Sequence, residues 1–216
     1  MPTILTHALV PLAAGIALGR HVVPPRLLVA GMPAAMLPDA DVVAFKFGIA
    51  YADALGHRGA SHSLAFALLC GLLAACAHRG LKARAATAFL FVAFAAASHP
   101  LLDMLTDGGL GVALLWPWTD ARFFAPWRVI EVSPFVQRFF GARGLEVILS
   151  ELRWVWAPLL ALALPAAWLR RRSTATPAPS CRSDVSRDRN HRASGADRRG
   201  EKHSLSTRIR AKRADR

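Results

Sequence analysis

Three stretches of this chain carry no Asp, Glu, Lys or Arg for long enough to decide what it can fold into: Gly59 to His78, Ala85 to Leu102 and Trp154 to Leu169. A helix that crosses a bilayer needs about 20 mostly apolar residues, with roughly 17 to 25 tolerated. The first two windows meet that length and the third is slightly short. In lipid every backbone N–H and C=O must find its partner within the segment, so apolar windows of this length predict helices. The chain is therefore expected to be all-α, a polytopic bundle of about four to five membrane helices. Trp154 and Trp156 at one end of the third window, with Arg170, Arg171 and Arg172 at the other, suit interfacial anchors. Ala8 to Gly19 and Leu27 to Pro38 are shorter, each 12 residues without charge. They read as short or tilted spans, or as a re-entrant hairpin turning at "RHVVPPR". The opening "MPTILTHALV" lacks the basic region of a secretory signal and is expected to be retained.

Charge divides the chain in two. The formal net charge is +13, yet Met1 to Leu169 holds 12 Lys+Arg against 9 Asp+Glu, and Arg170 to Arg216 holds 15 against 5. Residues 1–172 are read as one membrane-embedded domain. From Ser173 onward the composition turns to Arg, Ser, Asp, Ala and Pro with almost no large apolar residue, so 173–216 is expected to be a disordered basic tail. Such a tail is drawn to anionic lipid headgroups. It shows no aromatic interleaving and no recognised fold that would point to nucleic acid.

The basic connections are Arg20 to Arg26, Arg79 to Arg84 and the tail from Arg170. If five segments cross, the positive-inside rule places all three on the cytoplasmic side. His7, "PDAD", "HRGASH" and everything from Asp103 to Arg153 then fall on the extracytoplasmic side. His21 and His78 fall near the opposite face and are set aside. The segment 114–135, "LLWPWTDARFFAPWRVIEVSPF", mixes aromatics with isolated charges and suits the headgroup zone as an anchor, a lid or a substrate platform. Cys70 and Cys76 lie about 120° apart around a helix and read as buried free thiols.

His99 and Asp103 are the residues an apolar run least easily accommodates. Four apart on a helix, they share one face and can reach one point. Ionisable residues within such segments line a cavity or pair with one another. Pro100 interrupts the helix beside them and frees backbone carbonyls. His57 and His62 flank Gly59. Five helical residues turn through about 500°, so the two imidazoles converge only if His57 is on a loop and His62 on the first turn of a helix. Ser61 is the expected N-cap. Asp39 and Asp41 follow Pro38 at a turn, as ligands or as helix caps. His7 completes a set of imidazole and carboxylate donors gathered on one face, the ligand types of catalytic Zn²⁺ and of Mn²⁺ or Fe²⁺.

Taken in order, "MPTILTHALVPLAAGIALG", "LPDAD", "HRGASHSL" and "SHPLLDMLTDGG" resemble the YdjM-type family of membrane-bound metal-dependent hydrolases over about residues 1–118. The family pattern maps onto His7, Asp39 or Asp41, His57, Arg58, His62, His99, Asp103 and Thr106. A more distant likeness is to zinc-dependent phospholipase C, which implies hydrolysis of a phosphoester. This chain has no histidine between His99 and His191, so that enzyme's later ligands are missing and one or two ions are expected rather than three.

The resemblance implies an inner-membrane hydrolase acting on an ester or phosphoester bond of a lipid or envelope component. His62, His99 and Asp103 would bind a divalent ion, Zn²⁺ first with Mn²⁺ or Fe²⁺ as alternatives. Asp39, Asp41, His7 or His57 would complete that site or hold a second ion. Arg58 would neutralise an anionic oxygen of the substrate, and Thr106 or Asp107 would orient a ligand. The competing expectation is a membrane protein without catalysis, in which the same residues form a structural metal clip or a transport pathway.

Overall fold

The computed structural model describes residues 1–133 and 140–175, and among these it is helical with no strand. The order is α1 (Ile4–Leu18), α2 (Pro25–Met36), a 3-10 run (Leu37–Phe47), a short 3-10 turn (Ala60–His62), α3 (Leu64–Cys76), α4 (Ala85–Met104), α5 (Ala142–Glu151), a π-helical turn (Leu152–Trp156) and α6 (Ala157–Ala175). Of the expected tail 173–216, the first three residues, 173–175, continue α6 instead; the rest, from 176 onward, and the last residues of the 114–135 segment lie outside the described residues.

Three rods are long and apolar enough to cross a membrane: Pro25–Phe47, Ala85–Met104 and Ala142–Ser173. The 20 residues of α4 rise about 30 Å, the thickness of a hydrocarbon core. The window from Gly59 to His78, expected as a full span, is helical as α3 only over Leu64–Cys76, because its first five residues turn inward with His62. The second rod lengthens in exchange. Past Pro33 the chain of α2 tightens from Leu37 into 11 residues of 3-10 helix, with Pro38 in its first turn, instead of ending near Pro38. Large side chains face outward along α3 (Leu68, Leu69, Leu72, Leu73), α4 (Leu90, Phe94, Leu101) and α6 (Leu162, Leu164, Trp168, Leu169). Stripes of this kind suit lipid rather than water.

Inside, the packing relies on small residues. Leu27 of α2, Ala67, Cys70 and Ala74 of α3, and Ala88, Phe91, Val92 and Ala96 of α4 form one buried core. Gly71 brings α3 against α4 so closely that a Cβ there would sit 2.9 Å from Ala93 Cβ and 3.0 Å from the Phe89 carbonyl. Gly31 likewise receives the Phe91 ring of α4. Where lipid is the solvent, such close approach replaces the hydrophobic effect as the source of helix association. Cys70 is buried as expected; Cys76, at the last turn of α3, is exposed.

The bundle has two distinct ends. At one, Arg170 Nη1 donates to the carbonyls of Ile16 and Ala17, and Arg26 Nη1 donates to Gly80 O at 3.2 Å. The three basic connections thus lie together. At the other end the fully buried Glu151 carboxylate accepts from Thr3 N, from Thr3 Oγ1 at 2.6 Å and from Thr6 Oγ1 at 2.7 Å, and Trp156 Nε1 donates to Thr6 Oγ1 at 2.7 Å. This clasp fixes the start of α1 against the π-helical turn. Over the same end runs the loop 105–130, held by backbone pairs such as Val112 with Phe123, Ala113 N to Arg58 O and Ala125 N to Met104 O.

Candidate metal centre

Asp39 stands in the first turn of the 3-10 run, His62 closes the turn ahead of α3, and His99 and Asp103 are one turn apart near the end of α4. One ligand atom from each lies within 4.8 Å of those from the other three, and all four residues are buried. His7, in the first turn of α1, stacks its ring on His99 at 3.7 Å between centroids and brings Nε2 to 3.8 Å from Asp103 Oδ1.

The hydrogen bonds behind the two central imidazoles assign their protons. His99 Nδ1 donates to the Ala35 carbonyl at 2.7 Å. His62 Nδ1 faces Ser61 Oγ at 3.0 Å and Asp41 Oδ2 at 3.1 Å, and the Ser61 hydroxyl donates to the same carboxylate oxygen at 2.6 Å. With acceptors opposite both Nδ1 atoms, Nε2 is the lone-pair nitrogen of each neutral ring. The two Nε2 atoms face each other at 3.0 Å. Two lone pairs so placed repel unless a cation, a proton or a metal ion, satisfies them.

Charge makes the same demand. Asp39 Oδ1 is 3.3 Å from His99 Nε2, and Asp103 Oδ2 is 3.4 Å from His62 Nε2. The buried oxygens of both carboxylates, and both nitrogens of His7, have no hydrogen-bond partner among the described residues. Three carboxylates (Asp39, Asp41, Asp103) surround this point with one guanidinium, Arg58. Neutral imidazoles would leave two negative charges in a dry interior, the deficit that one divalent ion removes. Burial works against a charged His62, yet the carboxylates of Asp103, Asp39 and Asp41 outweigh it and hold its pKa up at about 10. A proton and a metal ion therefore compete for one place.

Around the cluster lies an orienting shell. His57 Nδ1 donates to Asp41 Oδ1 at 2.6 Å, so Asp41 fixes two imidazoles at once. Asp41, His57 and His62 also form a second group with ligand atoms close enough to share an ion. Ser61, expected to cap α3, bonds Asp41 instead; the N-cap is Ser63, which accepts from Phe66 N at 3.1 Å. Gly59 lets His57 fold back because a Cβ there would meet Ala54 O at 2.2 Å.

Arg58 is fully buried with Nε 3.2 Å from Asp103 Oδ2. Its other N–H groups reach Thr106 Oγ1 at 2.9 Å, Gly108 O at 3.0 Å and Leu110 O at 2.9 Å. The residue expected to catch a substrate oxygen is thus turned to the chain, and Thr106 helps to hold it. Asp107 Oδ1 accepts from Val132 N at 2.8 Å.

The residues 1–174 match the family described as "YdjM inner membrane protein". The chain belongs to that family. A relative, "Inner membrane protein YbcI" of Escherichia coli (strain K12), is 52% identical over 174 residues, which is 80% of this chain and 100% of the relative. No solved structure matches. Family membership and the apolar helices agree on an inner-membrane location. In this YdjM-family chain Asp39, His62, His99 and Asp103 meet around one point, His7 stacks on His99 beside Asp103, Asp41 and His57 stand behind them, and Arg58 and Thr106 form a wall.

Two contributors were not singled out from the sequence. Arg122 donates to six carbonyls, those of Tyr51, Ala52, Asp53, His57, Arg58 and Gly111, and so sews the 50–60 loop to the loop above it. Glu151 fixes the start of α1 and with it His7. Its signal was available: an acid with only apolar residues three and four positions away on either side.

Proposed function

We propose that the cluster binds a divalent metal ion and hydrolyses an ester or phosphoester bond of a lipid or envelope component at the extracytoplasmic surface of the inner membrane. The facing Nε2 atoms of His62 and His99, 3.0 Å apart with both Nδ1 protons committed elsewhere, carry this reading. Imidazole and carboxylate donors suit Zn²⁺, with Mn²⁺ or Fe²⁺ as alternatives. A bound ion would supply Lewis acidity and a water of lowered pKa. The chain's own part is to place donors: Ala35 O and Asp41 hold the two imidazoles in register, and Arg58 keeps Asp103 turned inward. Sidedness rests on the basic connections lying together at the opposite end, which the positive-inside rule assigns to the cytoplasm.

A structural metal clip is the second reading, and complete burial of His62, His99 and Asp103 favours it, since structural sites are closed by protein ligands. Catalysis requires the 105–130 loop to part. The test is incubation of full-length protein, loaded with Zn²⁺ or Mn²⁺ in nanodiscs, with a chromogenic phosphodiester and a carboxyl ester. Hydrolysis that disappears in Asp103→Asn supports the enzyme. A metal-loaded preparation inert on both, whose melting temperature falls on chelation, establishes the clip.

A further inference from the structure

At the basic end, between the 19–24 turn and the 78–87 connection, is a cavity of about 690 Å³. His21, His78, Arg79, Lys82, Arg84 and Thr87 contribute its polar lining. It lies at the opposite end of α4 from the metal centre, and its two histidines are those, among the described residues, with no part in that centre.

Three features give the cavity a chemical preference. First, neither 8–38 nor 59–102, the segments that build it, contains an Asp or a Glu, and the acids that follow them in sequence, Asp39 and Asp103, stand past the far end of α2 and at the far end of α4. Secondly, the 20-residue α4 begins at Ala85 without a side-chain cap, and Thr87 of its first turn lines the cavity, so uncapped N–H groups and the positive end of the helix dipole add to the same field. Thirdly, Lys82 holds a left-handed backbone, φ 55, which an L side chain rarely adopts, while the nearby glycine is at 80. Strain of this kind persists where the surrounding structure or a function holds it. The walls are also tied together: Arg26 Nη1 reaches Gly80 O at 3.2 Å, and His78 Nδ1 donates to Ala83 O at 3.2 Å.

We propose that this cavity is a binding site for a phosphate-bearing anion, bound by Arg79, Lys82 and Arg84 at the N-terminus of α4. Its position at a membrane-facing end offers two sources of that chemistry, an anionic phospholipid headgroup and free phosphate. Basic pockets between membrane helices recognise headgroups in this way.

The experiment uses the full chain in neutral phosphatidylcholine nanodiscs, with phosphatidylglycerol doped in or inorganic phosphate titrated in solution, at fixed ionic strength. Bound anion is read as ligand retained per protein by native mass spectrometry and as the shift in melting temperature. Lys82→Gly removes the ammonium and relieves the left-handed strain, so it folds at least as well as the parent. Combined with Arg84→Gln it is expected to weaken anion retention roughly tenfold or more. An Arg192→Gln, Arg198→Gln control removes equal charge from the tail and is expected to change retention little. Retention of phosphatidylglycerol without response to phosphate identifies the headgroup; stabilisation by phosphate alone identifies the soluble anion. Equal losses in the pocket and tail variants, or none in either, would overturn the proposal.

Discussion

His62 and His99 show how one residue's environment decides what it can bind. Each imidazole is held from behind, by Asp41 with Ser61 and by Ala35 O respectively, and each offers Nε2 to the same point. Asp41→Asn should therefore leave metal stoichiometry intact at saturating ion while weakening affinity by about 10- to 100-fold, as read by competition with a chelating dye. Histidine 62 also sets a pH dependence. Its pKa is raised above that of the unfolded chain, so in metal-depleted protein its contribution to stability is complete below about 6.5 and is lost as pH rises toward about 10. Thermal melts of chelated protein should fall from pH 7 to pH 10, and the metal-loaded protein, in which the ion replaces the proton, should not follow. The sequence displayed these donors because His and Asp are conspicuous in apolar runs. It could not display Asp41 as an orienting group or Arg58 as a clamp, since those roles depend on which atom faces which.

At the scale of elements, α3 and α4 meet through Gly71, and the site depends on that contact because α3 follows directly from His62 and α4 carries His99. Gly71→Val places methyl groups against Ala93 Cβ and the Phe89 carbonyl, neither of which can swing away. The expected cost is about 1 to 3 kcal/mol, visible as a lower melting temperature in detergent. α4 was legible in outline from its uncharged window, and the windows for α1, α2, α3 and α6 overlap those helices with ends off by as many as six residues. The 3-10 continuation of α2 to Phe47 was not, because Lys46 and the two aspartates make that stretch look like a loop. Nor was α3's late start legible: "GASHS" is as free of charge as the helix it precedes, and only the need to turn His62 inward separates them.

Across the whole molecule, candidate metal ligands gather at one end and basic side chains at the other, with lipid-facing leucines between. That polarity was readable in the order of charges along the chain, before any helix was placed. A reporter fused after Arg172 should be active only if it is a cytoplasmic one; activity of a periplasm-requiring reporter there would reverse the orientation of the whole bundle. The proposed function depends on donors from separate helices closing around a metal ion. The most direct measurement is elemental analysis of full-length protein purified without added metal or chelator, beside His62→Ala and His99→Ala. The expected result is a divalent ion near stoichiometric in the parent and lost from both variants while helical content by circular dichroism is retained. A folded parent devoid of metal after equilibration with Zn²⁺, Mn²⁺ and Fe²⁺, or variants that keep the full amount, would contradict it.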